Sequence, residues 1–319
     1  MDIKPMQRDI KLIVIDLDGT LLNDQHKMTK RNRDAIKKAI TNDIRVVLAT
    51  GKTRTSAEGI IKDLGLDTPG VYVQGLMICN ADGTIRKQTT MDKAAARKVI
   101  NYAENNGFEV MLYSGNRLLA KHAEEPFSEI TKYGEPAPVA VGSLVNNLDS
   151  TQIHKVVVLS NSPRKLKALR WQLNQQVGQQ VSFTTAAVLT SLEVLPKGGS
   201  KANGVRVLLK DLGVALENVM AIGDGENDAD MLKMVGLGVA MGNATEAVKA
   251  AANEVVSNNN NHGVAEAITK FALPKEEPKE EAKPEPIAPA ETTKAESIAK
   301  PATTTTEAPS ESKAEGSKE

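Results

Sequence analysis

The chain has 319 residues and a mass of 34.2 kDa, which is enough for two domains that each bury a hydrophobic core. Its 40 basic and 40 acidic side chains cancel, so no global electrostatic field attracts nucleic acid or an anionic membrane. The single cysteine excludes an internal disulfide, and no apolar run approaches the roughly 20 residues that span a bilayer.

The first predicted element is a strand from Leu12 to Asp16, rich in β-branched residues and followed closely by Asp18. A strand of this kind is buried on both faces, where an isolated carboxylate is costly, so the two aspartates need a functional reason. The next predicted elements are a helix at Thr29 to Ile40 and strands at Arg45 to Ala49 and Val71 to Val73. This alternation predicts a parallel α/β sheet.

The middle of the chain breaks the alternation. Asp92 is placed to cap a helix that ends at Gly107, and FEVMLY and LLAKHA then alternate like a hairpin around residues 114 to 116. A strand in IHKVVVLS precedes a helix that Ser162 caps and Gly178 ends. The pattern predicts a separate α/β unit at residues 83 to 190, inserted into a core made of residues 1 to 82 and 191 to 273.

The alternation resumes after the insert and then stops. The predicted elements are a helix at Lys201 to Asp211 and strands at Val219 to Ile222, Gly238 to Met241 and Glu254 to Val256. Residues 274 to 319 contain no aromatic residue and almost no branched aliphatic residue, which predicts a disordered low-complexity tail. A solvated spacer and a docking segment both remain open for this tail, and its partner is unknown.

Polar residues follow the ends of several predicted elements, at the edge where parallel sheets bind their ligands. They are Asp16 and Asp18, Thr50 and Gly51, Lys201, and Asp224 and Asp228. Mg²⁺ takes carboxylate, phosphate and water oxygens, and lysine holds phosphate oxygens, so this set predicts phosphoryl transfer. The spacing lets Asp16 attack phosphorus while Asp18, beyond the turn at Gly19, serves as general acid and base.

The stretches DLDGTLL, LATGK, GGSKANGV and GDGENDADML together resemble the haloacid dehalogenase (HAD) superfamily, and within it the Cof-type phosphatases with a C2-type cap. The resemblance covers residues 11 to about 272 and implies a Rossmann-like core, Mg²⁺ and an aspartyl-phosphate intermediate. It implies Asp16 as nucleophile and Asp18 as acid/base. The implied phosphate ligands are Thr50, Gly51 and Lys201, with Asn227 at the phosphate or the metal shell. The implied metal positions are Asp16, Asp18 through its backbone carbonyl, Asp224 and Asp228.

Two positions depart from the pattern of this branch. Lys52 stands where arginine is usual, which keeps the charge but loses bidentate geometry, and Gln74 precedes Gly75 where Asn-Gly is usual. We expect Lys52, Gln74 and Gly75 to face the substrate, and therefore to affect specificity more than catalysis.

Several alternatives stay open at this stage. Asp18 favours a phosphatase or a phosphomutase, because a dehalogenase lacks the second aspartate and a transport ATPase has lysine there. We expect hydrolysis of a small phosphorylated metabolite, a sugar phosphate first and FMN or another nucleotide second. A phosphomutase or phosphotransferase is the alternative, and a non-catalytic interaction protein that acts through its tail is the remote one.

The remaining expectations concern partners and location. We expect a small phosphomonoester as the substrate, Mg²⁺ as the cofactor, no nucleic-acid or membrane partner, and a monomer or weak homodimer. The N-terminus lacks the apolar stretch of a secretory signal, which predicts a cytoplasmic protein, or a protein of the plastid stroma if a transit peptide has been removed.

Overall fold

A computed structural model describes residues 9–124, 126–185 and 190–274, so the predicted tail lies outside the described residues apart from Pro274. The α-helices are α1 (Lys30–Thr41), α2 (Arg54–Leu64), α3 (Lys93–Asn105), α4 (Pro163–Val177), α5 (Lys201–Asp211), α6 (Ala229–Met234), α7 (Glu246–Lys249) and α8 (Gly263–Ala267). Short 3₁₀ turns lie at Phe127–Tyr133, Val145–Asn147, Leu216–Asn218, Glu226–Asp228 and Asn259–Asn261, and a π-helical turn at Ile268–Ala272.

The strands form three sheets. They are β1 (Leu12–Ile15), β2 (Arg45–Leu48), β3 (Gly70–Tyr72), β4 (Met77–Cys79), β5 (Ile85–Gln88), β6 (Glu109–Ser114), β7 (Arg117–Ala120), β8 (Val139–Ala140), β9 (Lys155–Leu159), β10 (Val181–Thr185), β11 (Ser191–Pro196), β12 (Val219–Gly223), β13 (Leu237–Ala240) and β14 (Glu254–Val255). Among the described helices, none has both the length and the apolar character that crossing a membrane requires.

The central sheet is parallel, with the strand order β14-β13-β12-β1-β2. Every residue of β1 is buried, and Leu12 pairs with Arg45 on one side and with Val219 on the other. The α/β fold with a parallel sheet is therefore confirmed, and each core strand lies within one residue of its predicted position. Because β1, β2 and β12 run in the same direction, the residues after them meet at one edge.

The third predicted strand belongs to a different sheet. β3 pairs antiparallel with β4, which pairs antiparallel with β5. A parallel bridge between Ala49 and Val71, and the bond from the Thr50 N–H to the Val71 carbonyl, join this small sheet to the end of β2. The chain leaves β3 through two non-glycine residues in the left-handed region, Val73 (φ 51°) and Gln74 (φ 58°). Such a conformation is rare for a β-branched residue, so this turn carries strain.

A six-stranded sheet of order β10-β11-β9-β6-β7-β8 forms most of the predicted insert. Side chains alternate along β6. Val110 and Leu112 pack in one cluster with residues of α3 and α4, whereas Met111 and Tyr113 point the other way, into the cluster that contains Met77 of β4. One face of this sheet is thus covered by its own helices, and the other faces the core.

Two strands pair across the predicted limits of the insert. β5 lies beyond the predicted boundary at residue 83, yet it pairs with β4 beside the parallel sheet. β11 lies after the predicted boundary at residue 190, yet it pairs antiparallel with β9 and β10. Its sequence SLEVLP alternates as a half-buried strand does, and backbone pairing, which the sequence does not show, assigns it to the six-stranded sheet.

Candidate active site

Asp16 lies at the carboxyl end of β1, the middle of three parallel strands. Its backbone N–H donates to the Ile222 carbonyl of β12 at 3.1 Å, which continues the sheet ladder by one residue. The residue is 5% exposed. The sheet therefore fixes the backbone of Asp16 and leaves one carboxylate at the edge of the core, where a cleft opens.

Lys201 is the cation that this carboxylate contacts. The residue is 1% exposed, and its Nζ lies 2.7 Å from Asp16 Oδ1 and 2.7 Å from Asp228 Oδ1. It is the first residue of α5, and the side chain of Ser200 caps that helix by accepting from the Asn203 N–H. The cap fixes the first residue of α5 and therefore the position of the Lys201 ammonium.

Asp224 completes an acidic cluster. The carboxylate oxygens of Asp16, Asp224 and Asp228 lie within 4.8 Å of one another. Asp224 accepts from Thr20 Oγ1 at 2.7 Å and from Asn243 Nδ2 at 3.1 Å. These two donors fix the orientation of the Asp224 carboxylate.

Burial and crowding dominate the electrostatics of the cluster. Burial raises the pKa of Asp16 well above its ordinary value; Lys201 opposes this effect, while Asp228 and Asp224 add to it. Burial also raises the pKa of Asp224 to about 6. For Lys201 burial lowers the pKa, but the two carboxylates outweigh it and the net pKa is raised. Three carboxylates crowded around one ammonium therefore favour the binding of a further cation.

This donor set fits Mg²⁺. A hard divalent cation prefers carboxylate oxygens, and it would offset both the burial and the repulsion that raise the pKa values of Asp16 and Asp224. Of the four predicted metal positions, Asp16, Asp224 and Asp228 belong to the cluster. The Asp18 carboxylate lies outside it: Oδ1 of Asp18 is 2.7 Å from Lys52 Nζ and 3.7 Å from His26 Nδ1.

A cleft of about 680 Å³ joins these groups to the other predicted site residues. Its lining includes Asp16, Asp18, Thr50, Gly51, Lys52, Gln74, Lys201, Asp224 and Asn227. Asp228 lies behind this lining, where Lys201 contacts it. Gly75, which we expected to face the substrate, instead packs against the start of α5, because a Cβ at Gly75 (φ 86°) would lie 2.0 Å from the Ser200 carbonyl oxygen.

The opposite wall of the cleft comes from the six-stranded sheet and the loops around it. Its lining side chains are Tyr113, Ile130, Tyr133, Glu135, Lys155, Val157, Ser191 and Glu193. Sequence reasoning selected none of them. The available signal was a charged residue next to or inside an apolar strand, as in HKVVVL for Lys155 and SLEVLP for Glu193.

Two buried groups of this wall contact the core directly. Lys155 Nζ lies 2.5 Å from Glu193 Oε1 and donates to the Gly51 carbonyl at 3.0 Å. Gln74 Nε2 donates to Glu193 Oε2 at 2.7 Å, and Gln74 Oε1 accepts from Asn227 Nδ2 at 3.0 Å. A continuous hydrogen-bonded path thus runs from the sheet of the insert to the residues beside Asp224.

Glu135 makes a third contact between the insert and the core. Its carboxylate accepts from the Thr53 N–H at 3.2 Å, from Thr53 Oγ1 at 2.7 Å and from Ser56 Oγ at 2.5 Å. Thr53 is the N-cap of α2, so an insert side chain occupies donors at the start of a core helix. Tyr113 donates its hydroxyl to the same carboxylate at 3.2 Å.

Comparison with known proteins identifies the class of enzyme. Residues 13–268 match the family model of the haloacid dehalogenase-like hydrolases. The chain belongs to this family, and the resemblance predicted from its motifs is confirmed.

Relatives refine this result. Endoribonuclease YBEY, chloroplastic, of Arabidopsis thaliana is 33% identical over 271 residues, 82% of this chain but 46% of that protein, so the chain spans about half of its length. The 5-amino-6-(5-phospho-D-ribitylamino)uracil phosphatase YcsE of Bacillus subtilis is 29% identical over 275 residues, 86% of this chain and 100% of the relative. The crystal structure of a haloacid dehalogenase-like hydrolase from Bacteroides thetaiotaomicron has a TM-score of 0.74 and 28% identity, and the match covers 82% of this chain and 99% of that one. The chain is thus a haloacid dehalogenase-like hydrolase with relatives that are named as phosphatases.

Proposed function

We propose that this enzyme is a Mg²⁺-dependent phosphatase that hydrolyses a small phosphorylated metabolite, most readily a sugar or sugar-alcohol phosphate, through an aspartyl-phosphate on Asp16. The observation that carries the proposal is the position of Asp16, fixed at a strand end, contacted by Lys201 and flanked by two further carboxylates in one cleft. The phosphatase YcsE supports the substrate class, since its named substrate carries its phosphate on a ribityl chain.

The chemistry follows from the residues of the cleft. Asp16 attacks phosphorus as the bond to the leaving oxygen breaks, and Asp18 gives that oxygen a proton. Asp18 then takes a proton from the water that attacks the aspartyl-phosphate, which frees phosphate and restores Asp16. Thr50, Gly51, Lys201 and Asn227 hold the phosphoryl oxygens. Asp16, Asp224 and Asp228 would hold Mg²⁺, which would supply positive charge to offset the charge of the transferring group.

A phosphomutase would use the same two aspartates, but hydrolysis is favoured by the match to a named phosphatase over its whole length. We also propose that residues 89 to 196, which carry the six-stranded sheet, act as the cap, and that the rest of the described chain acts as the core. For location we propose the cytoplasm, with the plastid stroma as the alternative that the chloroplastic relative supports.

The direct test is a hydrolysis screen over phosphorylated metabolites and p-nitrophenyl phosphate, with released phosphate as the readout. The proposed function requires Mg²⁺-dependent release from at least one small phosphomonoester. If purified, folded enzyme released no phosphate from any of them, the proposal would be wrong.

A metal-binding prediction needs no substrate. Adding Mg²⁺ to EDTA-treated enzyme should raise the melting temperature by several degrees, since a ligand at about a hundred times its dissociation constant adds about 2.7 kcal/mol to the free energy of unfolding. Asp224→Asn should abolish the shift. Asp230→Asn, which alters an exposed carboxylate nearby, should keep it. Equal shifts in the two variants would contradict the assignment of Asp224.

A second prediction concerns the turn after Asp18. Gly19 has φ 76°, and a Cβ built there would lie 2.2 Å from Asp224 Oδ2. Gly19→Ala should therefore displace the Asp224 carboxylate and raise the Mg²⁺ concentration for half-maximal activity by at least about tenfold, or about 1.4 kcal/mol.

Gly213→Ala is the matched control, because Gly213 also has a left-handed φ (64°) but nothing lies within 4 Å of its added Cβ. Both variants carry similar backbone strain, of about 1 kcal/mol. An unchanged Mg²⁺ requirement in Gly19→Ala would show that the close approach to Asp224 does not matter for the metal.

A further inference from the structure

We infer that the leaving group of the substrate bears hydroxyl groups but no second anionic group, and that the buried pair Lys155 and Glu193, positioned by Gln74, makes this selection. The inference rests on the proposed function, because it concerns the part of the same cleft that lies beyond phosphorus. It names the residues that recognise the leaving group.

The pair is buried yet faces the cleft. Lys155 is 1% exposed and Glu193 is 3% exposed, both line the cleft, and their strands β9 and β11 are neighbours in the six-stranded sheet. An ion pair in such a place costs desolvation energy, and apolar side chains of similar size often stabilise a fold as well or better. Stability alone therefore does not explain these two residues.

Within the described residues, Glu193 keeps unused hydrogen-bonding capacity. Each of its carboxylate oxygens accepts one bond, from Lys155 or from Gln74, and keeps a further lone pair. Lys155 directs two of its three donors to Glu193 and to the Gly51 carbonyl, and its Nζ lies 4.0 Å from the centroid of the Tyr113 ring. A hydroxyl group suits such a site, because it can donate to Glu193 and, in place of the Tyr113 ring, accept from Lys155.

The charges in the cleft argue against a second anion. Within the described residues, the cations that line the cleft are Lys52, Lys155 and Lys201, and each already lies within 2.7 Å of a carboxylate oxygen. Glu135 adds another carboxylate to the wall. A second phosphate or a carboxylate on the leaving group would lose its hydration, find no spare cation and meet the lone pairs of Glu193.

The remaining wall suits a carbon skeleton. Tyr113, Ile130, Tyr133 and Val157 line the cleft near the ion pair. A compact polyol or sugar presents apolar C–H surfaces between its hydroxyl groups, so it can contact these side chains while one hydroxyl reaches the pair. A leaving group without hydroxyls would bury the spare lone pairs of Glu193 without a donor.

Gln74 is the positioning residue of this arrangement. Its carboxamide joins Glu193 to Asn227, so it ties the leaving-group wall to the side of the cleft that holds the phosphate ligands. Val73 and Gln74, which place this side chain, both have left-handed backbone conformations. Strained conformations of this kind persist at functional sites. Asparagine is one methylene shorter and cannot span both partners from the same backbone.

The test compares substrates that differ by one phosphate. We expect wild-type enzyme to show kcat/KM for glucose 6-phosphate at least about tenfold above that for glucose 1,6-bisphosphate, with the same direction for fructose 6-phosphate and fructose 1,6-bisphosphate. Equal or higher efficiency on both bisphosphates would overturn the inference. The proposed function would survive this result as long as p-nitrophenyl phosphate is hydrolysed.

Glu193→Gln sharpens the test, because it removes the negative charge and frees Lys155 to meet a second anion. We expect the preference for monophosphate to fall at least about fivefold. Gln74→Asn should reduce it as well, which a merely structural role would not do. Glu109→Gln, a half-buried glutamate at the start of β6 that does not line the cleft, is the control and should keep the wild-type ratio. If Glu193→Gln fails to fold, the wild-type comparison still decides.

Discussion

Asp16→Asn is expected to lower kcat by at least about a thousandfold, which corresponds to about 4 kcal/mol in the activation free energy. Asparagine keeps the shape of the side chain but cannot form the acyl phosphate. The fold should survive, because one charge leaves a crowded group of three carboxylates and Lys201 keeps its contact with Asp228 at 2.7 Å.

The measurement is phosphate release from the best substrate of the screen, with a melting curve for each protein. Asp67→Asn is the matched control, since Asp67 is exposed and lies shortly after α2. It should retain wild-type turnover. Turnover by Asp16→Asn above about a hundredth of the wild-type rate would exclude Asp16 as the nucleophile.

Lys201→Met should remove most activity and also destabilise the protein. The ammonium is the only side-chain cation that contacts Asp16 and Asp228 among the described residues, and removing one partner of a buried ion pair typically costs about 3–5 kcal/mol. Denaturant unfolding at pH 7 without Mg²⁺ measures the loss. Lys210→Met, an exposed lysine of the same helix, should be close to wild type.

The destabilisation should depend on pH in a defined direction. The pKa of Asp16 is raised in the folded protein by burial, and without Lys201 less opposes that rise. Below the pKa that Asp16 has in the unfolded chain, its carboxyl is protonated in both states, and burying it carries no charge penalty. Above the pKa that it has in the folded protein, the carboxylate is charged and the full free-energy cost of burying it applies. The difference in unfolding free energy between wild type and Lys201→Met should therefore widen from pH 4 to pH 8. A difference that shrinks over this range would contradict the buried-charge explanation.

The sequence predicts the core half of the site well, for a simple physical reason. Asp16, Thr50 and Asp224 each follow a parallel strand, and parallel strands that are neighbours bring their carboxyl ends together. Their proximity therefore follows from strand order, which the alternation of elements and the family resemblance supply. The position of Lys201 is predicted from the start of a helix, which Ser200 caps.

The insert half of the site could not be predicted in this way. Glu193 meets Gln74 across 119 positions of sequence, and that contact depends on how the six-stranded sheet packs on the core. No periodicity encodes the orientation of one unit on another. The same limit explains the ion pair between Lys52 and Asp18, since the approach of two loops decides it.

The contact of Glu135 with the start of α2 bears on how separable the two parts of this enzyme are. Replacing the insert with a short linker would remove the carboxylate that accepts from the Thr53 N–H, Thr53 Oγ1 and Ser56 Oγ. It would also uncover the Gly51 carbonyl that Lys155 now occupies. Thr53 Oγ1 would still accept from the Ser56 N–H and cap α2, but a core made by deletion would begin this helix with the Thr53 N–H and two hydroxyl groups open to water.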